Sequence, residues 1–346
     1  MEEYLGRCLD TMVASDLLSS LEIIIVNDGS TDRSLSIAID YQERYPESIK
    51  VIDKKNEHYG SCVMAGLEQA TGKYFRMVDA DDWVNTRSLN YVLQQLSVID
   101  TDLVVTLRSE WSYDKCDIPN ITVRPFDKRI ECDKEYNLKQ FVISDYVLLD
   151  EFNMHSMTYK TSVLRSGDGL KLPKRVCYTD FLYSFYPIDR AETLIFLDVP
   201  LYVYYMGRDE QSISSKSLKR NLHHICTVLN LMISYYEKEE RDIVIRKNQM
   251  YFILKAMGFF SGCFFHRNDL TEKEYDDVLP ILLFLEKHHI PNRLYEKRYF
   301  RLFRKRKSRK ILNFCLRAFT MAHQRFVKTP LVLQYIPRDF RGLVSY

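Results

Sequence analysis

Three carboxylates fall within four residues at Asp79-Ala80-Asp81-Asp82, after a strand-like run from Tyr74 to Val78 and before Trp83-Val84. Like charges so close together repel. Such a cluster either faces solvent as an acidic turn or is neutralised by a divalent cation. An all-oxygen donor set suits Mg²⁺ or Mn²⁺, ions that often bind substrate phosphates as well. The tetrad therefore points to phosphate chemistry, although spacing alone does not separate this from a surface turn. A further acid, Asp28, follows the run Leu21 to Val26, β-branched from Ile23 on, within Asn27-Asp28-Gly29-Ser30-Thr31-Asp32.

The elements that must position these acids alternate. Glu2 to Val13 has helical spacing, with Leu5, Leu9 and Met12 on one face. Leu21 to Val26 reads as a strand buried on both faces. Ser30 or Thr31 can cap a helix over about Arg33 to Tyr45. A strand from Ile49 to Ile52, a helix over about Ser61 to Ala70 and a strand from Tyr74 to Val78 follow. This βαβ alternation predicts an α/β fold with a mainly parallel sheet flanked by helices. Such sheets bind ligands beyond the carboxyl ends of their strands, where Asp28 and Asp79 both fall. Further strands are expected at Leu103 to Leu107, Ile121 to Val123 and Leu194 to Val203. Asn137 to Leu149 and Asp180 to Tyr186 read as helical or irregular. From Leu218 the pattern turns helical, over 218–240, 243–264, 271–288 and 294–326. The expected division is 1–215 and 216–346.

The length allows one large core and a second helical unit, and 46% apolar with 28% charged residues is an ordinary globular composition. The eight cysteines include no C-x-x-C pair, which argues against structural zinc and a disulfide framework. Dispersed cysteines fit a reducing cytosol. The acidic start, Met1-Glu2-Glu3-Tyr4, lacks the apolar core of a signal peptide. No apolar run reaches spanning length.

Together, the segments Ile23-Ile24-Ile25-Val26-Asn27-Asp28-Gly29-Ser30-Thr31-Asp32, Ala70-Thr71-Gly72-Lys73-Tyr74 and Val78-Asp79-Ala80-Asp81-Asp82-Trp83 resemble the family 2 glycosyltransferases of the GT-A, Rossmann-like fold, bacterial type. The likeness is strong over about 2–100, weaker to about 215, and brings no expectation beyond. It implies an inverting, metal-dependent transfer from a nucleotide-sugar donor, UDP-linked, to a glycan or lipid-linked acceptor of the cell envelope. It places Asp28 on the nucleoside, Asp79 on the ribose, and Asp79 and Asp81 on the Mn²⁺ or Mg²⁺ that bridges the diphosphate. Asp82 would hold the loop or share the ion. The base that takes the acceptor proton falls on Asp180 in Tyr178-Thr179-Asp180-Phe181, with Thr179 where Glu is common. A helix cap at Asp180 is the competing reading, and Asp168 a weaker competitor for the base. Arg208 in the 205–212 segment could pair with the diphosphate or be a plain loop arginine. His58, in the loop 54–60, could touch the donor or lie at the surface.

Two departures stand out. The family's first strand, ending in a Pro-x-Tyr-Asn-like turn, is missing before the helix at Glu2. That would leave Leu21–Val26 and Tyr74–Val78 without a shared neighbour. An upstream start, a trimmed chain or an inactive product would each account for it. Another strand, from this chain or a second copy, could fill the gap. Cys62-Val63-Met64-Ala65 also stands where relatives often carry Asn or Arg-Asn, so one substrate contact is expected to differ.

Ten basic residues, from Arg293 to Lys310, interleave with aromatic and aliphatic ones through 293–317. A basic amphipathic segment fits peripheral contact with an anionic membrane surface, or a solvated helix packed on the rest of the chain. No recognition motif supports nucleic acid. The expected protein is thus a cytoplasmic enzyme, free or on the inner face of the plasma membrane. The alternatives are an inactive relative that only binds partners and, more weakly, a nucleotidyltransferase, which would need a Gly-rich phosphate loop that is not found.

Overall fold

The computed structural model describes residues 1–113, 119–145, 152–206, 215–238, 241–265 and 271–288. The chain divides into two compact units, residues 1–141 with 148–209, and residues 142–147 with 210–346.

The first unit opens with α1 (Leu5–Val13), β1 (Ile23–Asp28), α2 (Ser34–Arg44), β2 (Ile49–Lys54), α3 (Tyr59–Gln69) and β3 (Tyr74–Arg76). The expected helices and strands are all present. β1 starts later and runs to Asp28, so the acid sits on the strand itself. The cap of α2 differs from the Ser30 or Thr31 expected: the Ser34 N–H donates to Asp32 Oδ1 at 3.1 Å, while Asn27 Oδ1 takes the Ser30 N–H. There follow β4 (Trp83–Val84), α4 (Thr86–Val98), β5 (Leu103–Tyr113), β6 (Pro119–Val123), β7 (Glu135–Asn137), β8 (Met157–Lys160), α5 (Thr161–Arg165), α6 (Asp180–Phe185) and β9 (Thr193–Tyr205). Asn85 caps α4 through the Ser88 N–H at 3.0 Å, as a short polar side chain does at a helix start.

The sheet is mixed. β1 and β2 pair in parallel as a two-stranded sheet. A seven-stranded sheet runs β3-β8-β5-β9-β4, with β6 on β5 and β7 on β9. Within it β5 and β9 are parallel and the remaining pairs antiparallel. Among the described residues β1 pairs only with β2, and β3 only with β8. The two strands that carry Asp28 and lead to Asp79 therefore share no neighbour. α3 connects them instead: Gly66 lies between Val26 and Phe75, where an added Cβ would sit 3.9 Å from each. Glu22 Oε2 also takes the N–H groups of Thr71 and Gly72 at 2.6 and 3.2 Å.

The core follows the same division. Leu103, Val104, Leu194 and Leu197, in the first halves of β5 and β9 where the two strands begin to pair, are fully buried. α4 packs there through Leu89 and Val92. A second cluster joins Leu5 and Leu9 of α1 to Ile23, Ala38, Tyr41 and Ile49.

The second unit is helical: α7 (Ser215–Arg220), α8 (Leu222–Lys238), α9 (Ile243–Phe265) and α10 (Glu272–Lys287). The helix expected over 218–240 is broken at Asn221, outside both α7 and α8. Buried Asn248 of α9 takes the Ile143 N–H at 2.8 Å. No helix among the described residues is long and apolar enough to cross a membrane. Arg208, the 294–326 helix and the basic 293–317 segment lie outside the described residues.

Candidate functional site

Asp28 ends β1, and Gly29 turns the chain there at φ +69°, where a Cβ would come within 3.0 Å of the Asn56 N. Only glycine takes that conformation cheaply, so the Asp-Gly pair brings the loop 54–58 onto the carboxylate. Asp28 Oδ1 accepts from Lys54 Nζ at 2.6 Å and from the Glu57 N–H at 3.0 Å. Lys54 Nζ also donates to Ser61 Oγ at 2.9 Å and to the Lys55 carbonyl at 2.8 Å. Burial opposes ionisation of Asp28, but the Lys54 ammonium and the Glu57 N–H outweigh it, and the net shift is downward. Cys62 lies on the same side. Burial, then the Asp28 charge, pushes its thiol up to about 11, so it is protonated and unreactive at neutral pH.

The tetrad is held from two directions. On one side α1 supplies Arg7, which donates to the Asp81 carbonyl at 3.1 Å and stacks 3.7 Å from the Trp83 ring centroid. On the other side β9 supplies Tyr202, which donates to Asp82 Oδ2, and the Tyr205 N–H, which donates to Asp82 Oδ1 at 2.8 Å. Asp82 is 1% exposed. Burial raises its carboxyl to about 6 despite Tyr202, the Tyr205 N–H, Arg7 and Arg108. The two hydrogen bonds tie Asp82 to β9, and one of its carboxylate oxygens lies within 4.8 Å of one of Asp79.

Asp180 opens α6 with its carboxyl turned to its own N–H and that of Phe181. Burial outweighs those bonds and raises it to about 6. It is the first helical residue, with Thr179 at the cap position. Tyr178, just before, is buried with φ 63°, a left-handed conformation that a bulky residue adopts only where its surroundings enforce it. His58 is likewise at φ 67°, at the start of α3. These two helix starts abut: a Cβ on Gly60 would meet the Pro173 carbonyl at 2.8 Å and Thr179 Oγ1 at 3.0 Å. The Arg175 N–H donates to the Glu57 carbonyl at 2.7 Å, and Lys174 pairs with Glu57 at 2.9 Å.

These links draw together acids about a hundred residues apart in sequence. Burial, Asp79 and Asp180 together push the Tyr59 phenol well above the ordinary tyrosine range. Tyr204 rises to about 12 through burial, with Asp82, Asp79 and Asp180 contributing. Both phenols thus stand in the field of the tetrad and of Asp180.

Carboxylate oxygens of Asp79 and Asp82 and an imidazole nitrogen of His155 lie within 4.8 Å of one another. Donors of this kind at this spacing fit a divalent cation. Of the Asp79–Asp81 pair expected from the sequence, Asp79 belongs to this trio with Asp82 and His155; Asp81 lies outside it, with its carbonyl on Arg7. No sequence signal singles out His155, a lone histidine far from the tetrad. His58 has an exposed side chain, and its carbonyl takes the Ser61 N–H at 3.0 Å. Asp168 is exposed, in a separate turn after α5.

The glycosyl transferase family 2 model matches residues 2–148. The uncharacterized glycosyltransferase EpsJ of Bacillus subtilis is 35% identical over 104 residues, 30% of this chain and 30% of its own length. The uncharacterized glycosyltransferase YibD of Escherichia coli is 35% identical over 106 residues, 31% of this chain and 30% of its own. The chain thus spans about a third of the length of these relatives. Glycosyltransferase GlyG of Streptococcus pneumoniae matches over 218 residues at 22% identity, 58% of this chain and 66% of its own. In structure, S. aureus TarS 1-349 in complex with UDP-GlcNAc matches with a TM-score of 0.58 at 16% identity, covering 94% of this chain and 89% of that one. That likeness shows a shared fold.

Proposed function

We propose that this chain, which carries a family 2 glycosyltransferase domain over residues 2–148, transfers a sugar from a nucleotide-sugar donor, UDP-linked, to a glycan or lipid-linked acceptor with inversion. One observation carries the reading: the start of α6, which bears Asp180, abuts the start of α3 at Gly60, beside Tyr59, whose phenol both Asp79 and Asp180 push up. The structure of a similar fold, TarS, was solved with UDP-GlcNAc, which supports the donor class.

In this reading Asp28 accepts from the nucleoside, and the Lys54 contact orients its carboxylate. Asp79 with its neighbours would hold Mn²⁺ or Mg²⁺, which supplies charge neutralisation for the leaving diphosphate. Asp180 takes the acceptor hydroxyl proton as the hydroxyl oxygen bonds to the anomeric carbon and the carbon–phosphate oxygen bond breaks. A base with a pKa near neutrality suits that step, and burial holds Asp180 there. Arg208 as a diphosphate contact, a membrane surface for the 293–317 segment and a domain boundary near 215 belong to the same proposal.

The second reading is a non-catalytic relative. The absence of a shared neighbour for β1 and β3 among the described residues favours it. A panel of UDP-, GDP- and dTDP-sugars, titrated with and without Mn²⁺ and followed by product analysis, separates the two. Metal-dependent binding of UDP-sugars, weakened by Asp79→Ala and Asp28→Ala, is expected. Binding indifferent to metal and to both substitutions sinks the proposed site. Binding without transfer to any acceptor or water favours the inactive relative.

A further inference from the structure

We infer that His155 is a metal ligand of this site, joining Asp79 and Asp82 in a mixed oxygen and nitrogen set that takes Mn²⁺ in preference to Mg²⁺. The inference deepens the nucleotide-sugar reading and rests on it only for the use made of the ion. The three donors lie within 4.8 Å of one another. Metal bonds of roughly 2.0–2.2 Å place neighbouring donors about 3–4 Å apart, so a small inward shift closes the set.

The imidazole is held ready for that role. Its ring is tilted against Tyr202 and Tyr204, at 4.7 and 5.0 Å between centroids. The His155 N–H donates to Asn153 Oδ1 at 3.0 Å. Its carbonyl takes the Arg76 guanidinium, which also donates to Thr158 Oγ1 at 2.8 Å. Backbone and ring are therefore fixed from both strands that flank the site, β3 and β9. Tyr202 ties the set together, because its hydroxyl donates to Asp82 and accepts the Asp79 N–H at 3.3 Å. Each Asp82 oxygen takes one hydrogen bond, and a carboxylate oxygen can accept a second partner.

The donor chemistry decides the ion. Mg²⁺ demands oxygen ligands, whereas imidazole nitrogen suits first-row transition ions. Mn²⁺ accepts both carboxylate and imidazole, so His155 biases the site toward it.

The test uses Mn²⁺ alone, without nucleotide. Pulsed electron paramagnetic resonance on the Mn²⁺-loaded wild-type chain is expected to show a nitrogen coupling that changes isotope when the protein carries ¹⁵N-histidine. This readout needs no variant to fold. His155→Ala should abolish the coupling and weaken Mn²⁺ binding about tenfold or more, with a smaller loss for Mg²⁺. A wild-type chain saturated with Mn²⁺ but showing no histidine nitrogen overturns the inference, as does a coupling that survives His155→Ala. Should the coupling be present and no sugar be transferred, the inference stands and the functional reading falls. Transfer that runs equally on Mg²⁺ and Mn²⁺ with no coupling leaves the reading and removes the inference.

Discussion

The two ends of the site rest on different sheets and hold their carboxylates in opposite ways. Asp28 lies on the two-stranded β1–β2 pair, with an ammonium 2.6 Å away. Asp82 is fastened to β9 of the seven-stranded sheet by a phenol and a backbone N–H, both neutral. The Lys54 contact balances the Asp28 charge and holds its carboxyl below the usual range. Burial without a bonded cation lifts Asp82 to about 6. Charge already balanced suits recognition by hydrogen bonds. Charge left under-compensated suits a cation. The strands repeat the contrast: Ile24, Ile25 and Val26 of β1 are only half-buried, whereas Leu103, Val104 and Val105 of β5 are fully buried. Both runs are apolar and β-rich, and the number of neighbouring strands separates them.

The largest effect should come from Asp180, at the under-compensated end. Asp180→Asn is expected to lower kcat by about 10²–10⁴-fold while nucleotide-sugar binding persists. In the wild type the acid limb of kcat/KM should fall below about pH 6, where Asp180 takes up a proton, and the residual activity of the variant should lack that limb. Undiminished turnover would remove Asp180 as the base.

Tyr202→Phe tests how the core end is held. It strips one donor from a buried carboxylate, at a cost of about 1.5–3 kcal/mol, read as a lower urea midpoint at pH 7. The sign of the pH effect is fixed. The folded value of Asp82, about 6, lies above the ordinary 3.8. The folded chain therefore keeps this proton while the unfolded chain loses it, and stability falls as pH rises from about 4 to about 6. Tyr202→Phe should extend that fall above pH 6. A midpoint with the same pH dependence as wild type would show that Tyr202 does not govern Asp82.

The smallest effect is expected at the balanced end. Lys54→Met removes a partly exposed pair and should cost about 1 kcal/mol. It should also weaken nucleotide binding severalfold and leave the Mn²⁺ affinity of the core end unchanged. Equal losses at both ends would erase the distinction between them.

Much of this is legible in the sequence. Asp28 and Asp79 follow apolar runs that read as strands, and the helices between them obey a 3.6-residue period. Asp180 was visible only through the resemblance, since a single Asp before Phe181 is also a helix start. His155, Tyr202 and Arg7 were not visible at all. Nothing in a short window marks a histidine, a tyrosine in a buried strand or an arginine on an amphipathic helix as belonging to one place. β4 escaped as well, because Trp83-Val84 is too short for a periodic signal and is defined by its pairing with Tyr202 and Val203.

The sequence by itself determined the order of helices and strands, the acids at their ends and the turn that Gly29 permits, because these depend on side-chain type and local backbone freedom. Tertiary structure alone decided which acids meet, what holds each one and how readily each ionises. Those properties depend on burial and on partners supplied by distant strands, and a carboxylate has no fixed charge until its surroundings are known.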